Sequence, residues 1–117
     1  MTATPAQIIV GLEEKNRLLS QKNTEYAAIA EKRAQAERDY KMMVREQTLR
    51  HKSDGHPATL IPTLVSGHRS VADLKFELDV ATETQKACLE SIKDTRSQIE
   101  TYRSLLTWLR AEMTGGQ

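Results

Sequence analysis

Residues 71–113, VADLKFELDVATETQKACLESIKDTRSQIETYRSLLTWLRAEM, decide the fold. Within them Val71, Leu74, Leu78, Ala81, Gln85, Cys88, Ile92, Thr95, Ile99, Tyr102, Leu106, Leu109 and Met113 follow one another at alternating steps of three and four. Ten of these thirteen side chains are apolar or aromatic, and a buried cysteine behaves as a small apolar group. A 3-4 repeat kept up for about six heptads predicts a long helix packed lengthwise against other helices. Ser70 reads as its cap, with Asp73 three residues on as an acidic form of the capping box. No Gly or Pro follows until Thr114-Gly115-Gly116, which ends the helix and leaves a short tail.

Upstream, Thr4-Pro5 is a helix start, a capping hydroxyl followed by proline where its missing N–H is no loss. From there to Lys52 there is no further proline and a single glycine, Gly11, in a run rich in strong helix formers. A first seam reads Leu12, Leu19, Tyr26, Arg33, Tyr40, Gln47, and its companion Ile8, Lys15, Lys22, Ile29, Ala36, Met43. Admitting Ala27, Ala30, Ala34 and Val44 strengthens it and predicts a contact face that drifts around the helix. Ser53-Asp54-Gly55-His56-Pro57 breaks the chain. The apolar run Ala58–Val65 then predicts a helical turn or two folded over the tip, a strand being the alternative.

The fold expected is therefore all-α: a long antiparallel two-helix hairpin with a short apolar tip segment, assembling as a homo-oligomer. It forms one domain, 1–117, divided into helix 5–52, tip segment 53–69, helix 70–113 and tail 114–117. Placing Lys52 opposite Ser70 sets Met43 near Leu78, Tyr40 near Ala81, Ala36 near Gln85, Ile29 near Ile92, Leu19 near Tyr102 and Leu12 near Leu109. Phe76, Val80, Leu89, Leu105 and Trp108 fall outside the seam and predict a second packing surface. Two helices alone bury too little, hence the expected homo-oligomer. The polar seam positions Gln85 and Thr95 are candidates for fixing register or subunit number.

Composition narrows the function classes. Of 117 residues, 28% are charged and only 4% aromatic, which suits long helices better than a globule. The net charge of +1 excludes a polycation, so a nucleic-acid partner would have to meet a local patch. A single cysteine excludes an internal disulfide and fits a reducing compartment. No targeting leader and no membrane span are read, and the expectation is a cytoplasmic protein of a bacterial host.

No phosphate-cradling glycine loop, nucleophile elbow or paired carboxylates occur, so neither an enzyme nor a cofactor is expected. Cys88 sits at a core position without a base and reads as packing. His51, His56 and His68 lie at or beside the tip, and clustered histidines can bind zinc. With no carboxylate or thiol read at ligand spacing, they are taken as solvated tip residues with no metal centre.

The basic patch is the functional clue. Residues 41–75 carry Lys41, Arg45, Arg50, Lys52, Arg69 and Lys75 against three carboxylates, whereas the chain after residue 71 is acidic by two charges. Repeated in an oligomer, such tips would add up to useful phosphate affinity, with Tyr40 or Phe76 placed to stack bases. A solvated helix end explains the same charges equally well. The second function class is a protein-binding coiled coil, its contacts Leu60, Ile61, Leu64, Val65, Phe76 and Trp108.

The layout resembles the UvsY-like recombination mediators of T-even phages. The matching parts are a Lys/Arg-rich first helix ending in Ala36-Glu37-Arg38-Asp39-Tyr40, the Asp54-Gly55 break, and Thr63-Leu64-Val65-Ser66 leading through Val71 into a long helix with Ile92 and Ile99 at heptad spacing. They span residues 30–112 as a pattern of element lengths and residue types. The chain is also similar in build to small phage and prophage proteins of Gram-positive bacteria. The resemblance implies a homo-oligomeric accessory protein of phage recombination or replication that binds single-stranded DNA. A recombinase or a single-strand-binding protein would be its partner. The Leu60-Ile61-Pro62 insert departs from the pattern and suits protein docking, as in a phage inhibitor of a host defence or replication protein.

Overall fold

The computed structural model describes residues 3–115. Among them three helices follow in order, α1 (Pro5–Ser53), α2 (Ile61–Gly67) and α3 (Arg69–Gly115), with no strand. None of these helices is long and apolar enough to cross a membrane.

The ends of the helices have local causes. At the start of α1, the Thr4 N–H donates to Gln7 Oε1 at 2.9 Å and the Gln7 N–H donates to Thr4 Oγ1 at 3.2 Å. This reciprocal pair satisfies two of the free donors of the first turn. At its far end Gly55 takes φ +82°, a region that costs a residue with a Cβ about 1 kcal/mol or more. The His56 N–H then reaches the His51 carbonyl (3.2 Å) and the Gly55 N–H the Lys52 carbonyl (3.1 Å), a Schellman closure. The apolar tip segment is helical as expected, but α2 starts only at Ile61, after the Leu60 and Ile61 N–H groups have both turned onto the Pro57 carbonyl.

The start of α3 corrects the expected cap. His68, not Ser70, occupies the cap, with extended backbone (φ −67°, ψ 132°). Its carbonyl accepts the Ala72 N–H at 2.9 Å, and its ring Nδ1 accepts the Ser70 N–H at 3.2 Å. The imidazole Nδ1 does here what a hydroxyl oxygen does in a serine cap. Asp73 faces Arg69 at 4.0 Å instead. The helix continues to Gly115, two residues beyond the expected stop, and the rest of the expected tail lies outside the described residues.

The described residues form two units, one from the chain up to Tyr26 and from Ala87 onward, the other Ala27–Lys86. In both, the heptad reading of the seams holds. On α3, Val71, Ile92, Thr95, Ile99 and Leu106 are buried, the other stripe positions up to Leu109 are half-buried, and only Met113 is exposed. On α1, Ile8 and Gln47 are buried and the other ten seam positions are half-buried. The seam drifts less than expected: Ala30 and Val44 join it, but Ala27 and Ala34 are exposed.

Register is where the structure differs. In the first unit a Cβ on Gly11 would lie 3.0 Å from Tyr102 Cε1 and Cζ, so Tyr102 lies across Gly11 rather than near Leu19. In the second unit Met43 and Val44 pack with Tyr40 on a buried cluster of Ile61, Val65 and Val71, so Met43 lies on the cluster that holds Val71, where Leu78 was expected. Each offset is about one heptad. In the second unit α2 shares this place: Ile61 and Val65 bury beside Val71, so α2 and the first turn of α3 both lie against Tyr40, Met43 and Val44 of α1.

The close approach at Gly11 yields a test. Alanine should gain about 1 kcal/mol in helix propensity over glycine, yet its methyl would crowd a stiff ring, an overpacking cost of about 1–3 kcal/mol. Gly11→Ala is expected to lower stability by about 1 kcal/mol in urea melts, and to raise it by a similar amount in a Tyr102→Leu background. A stabilising effect in both backgrounds would show that the ring does not need the gap.

Candidate functional site

The surface of the second unit carries most of the residues that sequence reasoning singled out. Lys41, Arg45, Arg50, Lys52, Arg69 and Lys75 are all exposed. Four of them are engaged by carboxylates one helical turn away: Lys41 with Glu37 (3.1 Å), Arg50 with Glu46 (3.8 Å), Arg69 with Asp73 (4.0 Å) and Lys75 with Asp79 (2.9 Å). The Lys41 ammonium, hydrogen-bonded to Glu37 and aided by Arg33, holds that carboxyl below the usual range. The Asp79 carboxylate, by hydrogen bond and charge, raises Lys75. Exposed pairs of this kind are worth little in stability, but their carboxylates offset the positive field that a phosphate would meet. Among the described residues, Arg45 and Lys52 stand one heptad apart on α1 without an acidic partner within ion-pair distance.

The aromatic candidates separate. Tyr40 is half-buried against the Ile61–Val65–Val71 cluster, and the Lys75 ammonium lies 5.8 Å from its ring centroid. Its ring is thus used in packing. Phe76 is 68% exposed and free of such contacts.

The candidate protein-binding residues separate in the same way. Ile61 and Val65 are buried within their own unit and offer no outer surface. Leu64 is half-buried, while Leu60, Phe76 and Trp108 are exposed. Phe76 and Val80, one turn apart on α3, line a groove of about 550 Å³ with Ile29, Ala36 and Ala81, rimmed by Lys32, Asp39 and Glu77. An apolar floor with a rim of both charge signs suits the face of an amphipathic helix. Exposed apolar groups also mark the first unit: Ile9, Val10, Leu89, Leu105, Trp108 and Met113.

The three histidines do not act together. His68 is used as the α3 cap, while the His51 and His56 rings meet edge to face with centroids 5.2 Å apart. Asp54 joins them: one ligand atom from each of His51, Asp54 and His56 lies within 4.8 Å of the others. This corrects the reading that no carboxylate stands at ligand spacing. The signal was present in Asp54-Gly55, because a glycine closing a helix brings the residues on either side of it back over the last turn.

Fold and surface thus define an all-helical chain with heptad seams and large apolar groups on its outer faces. No protein-family model, no curated protein and no solved structure matches it.

Proposed function

We propose that this chain is a helix-pairing interaction module that assembles with further copies of itself. The carrying observation is the balance of its apolar groups. Among the described residues eleven large hydrophobic side chains are exposed and seven are buried. A chain that leaves its Phe and Trp more than half exposed has more apolar surface to cover than one copy covers. The groove beside Phe76 and Val80 supplies a concave place for a second helix, and the mixed charge on its rim matches the alternating charges of α1 and α3 themselves. Sedimentation of the full chain tests this. Wild type is expected as an oligomer, and Phe76→Glu/Val80→Glu is expected to shift it toward monomer with helical circular dichroism retained. A wild-type monomer at all concentrations sinks the reading.

Arg45 and Lys52 support a second function for the same assembly, the binding of single-stranded DNA in the manner of a phage recombination mediator. These two cations of the patch, repeated in an oligomer, would form a phosphate-binding array. Fluorescence anisotropy with a labelled oligonucleotide at two salt concentrations reads it. Salt-sensitive binding should be lost in Arg45→Glu/Lys52→Glu, and equal affinity in that variant rejects it.

A further inference from the structure

The geometry points to a divalent transition-metal site at the end of α1, formed by His51, Asp54 and His56. The site follows from the way the helix closes. Gly55, at φ +82°, turns the chain so that the His56 N–H bonds the His51 carbonyl at 3.2 Å. In this closure the two residues so joined commonly make an apolar contact. Here both are imidazoles, with centroids 5.2 Å apart, and Asp54 stands between them in the chain.

Three features of the trio suit a metal ion. Its ligand atoms already lie within 4.8 Å of one another. Ligands at about 2.0–2.1 Å around a tetrahedral ion are roughly 3.3 Å apart, so closing on an ion needs side-chain adjustment of an ångström or so. Asp54 and His56 are exposed and can make that adjustment without disturbing the core. Most telling is His51. Both of its ring nitrogens are shut off from solvent and neither has a hydrogen-bond partner. Leaving such groups unsatisfied is costly, and a metal bond would satisfy one.

The donor set chooses the ion. Two imidazoles and one carboxylate favour zinc, cobalt or nickel over the oxygen-loving calcium and magnesium. Three protein ligands leave a fourth position of a tetrahedral ion for water or an external donor. Bound there, the ion would tie the chain after Gly55 to the last turn of α1.

Titration of the untagged full chain with Co²⁺, followed by displacement with Zn²⁺, tests the site. Wild type is expected to take up one equivalent per chain and to give the visible absorption of cobalt with nitrogen and oxygen ligands. His56→Ala and Asp54→Ala, both at exposed positions, should keep wild-type helicity and weaken binding by at least about tenfold. His68→Ala removes a histidine outside the trio and should leave uptake unchanged. Gly55→Ala keeps every ligand but strains the turn, and should also weaken binding. The inference is overturned if wild type takes up no Co²⁺, or if uptake persists unaltered in His56→Ala and Asp54→Ala.

Discussion

Ile61→Ala is expected to destabilise the protein by about 2–5 kcal/mol, whereas Leu60→Ala, its immediate neighbour, should change stability by no more than about 0.5 kcal/mol. Ile61 is only 4% exposed and sits in one cluster with Val65 and Val71, closed by Tyr40, Met43 and Val44. Truncating it removes the transfer energy of its lost carbons and leaves a cavity that a seven-residue helix held by two buried side chains fills poorly. Leu60 is exposed and leaves nothing behind. Urea unfolding midpoints at one fixed protein concentration measure both, the fixed concentration being needed because the proposed assembly would contribute to apparent stability. Amide exchange within α2 should accelerate in Ile61→Ala alone. Equal effects of the two substitutions would mean that α2 does not dock.

Thr95→Val should cost about 1–3 kcal/mol although it keeps the side chain's shape and adds apolar character to a seam position. Thr95 is 1% exposed. Its hydroxyl accepts from Lys22 Nζ at 2.8 Å and donates to the Ser91 carbonyl at 3.0 Å. The same ammonium donates to Ser91 Oγ at 2.7 Å. Within this unit Lys22 is thus held by neutral oxygens on one turn of α3. Removing Thr95 Oγ1 leaves a half-buried cation short of acceptors. Removing both partners is a different case, since apolar groups of similar shape often replace a buried polar contact at no loss. Lys22→Met/Thr95→Val is therefore expected to unfold at or above the wild-type midpoint, and the double-mutant cycle should give a coupling of about 1–3 kcal/mol. Additive losses across the cycle would show that Lys22 and Thr95 are independent.

Much of this was legible in the chain. All twelve α1 seam positions and twelve of the thirteen stripe positions on α3 are buried or half-buried, because heptad periodicity reports directly which face turns inward. The ion pairs that engage Lys41, Arg50, Arg69 and Lys75 were also readable, since each carboxylate stands four residues away. The heptad places Thr95 in the seam as a polar residue, but its tie to Lys22 depends on the register. The tip segment is legible as an apolar cover for the open end of the seam, and Ile61 and Val65 serve equally well on paper as contacts for a partner. Apolar character shows that a side chain seeks cover without showing which surface covers it, and here α1 does so.

The sequence by itself determined the lengths of the two long helices, their inward faces and the break that joins them, because capping, propensity and period are local properties of the chain. Only the tertiary structure decided the register. Sliding one helix along another by a heptad returns the same residue classes to the seam, so the pattern cannot distinguish the two alignments. Long-range contacts can: Tyr102 fits across Gly11, Lys22 finds oxygens at Ser91 and Thr95, and α2 packs with Val71 on Tyr40, Met43 and Val44 of α1. The grouping of His51, Asp54 and His56 was decided in the same way, by one backbone turn at Gly55 that carries the chain back over the helix it has just left.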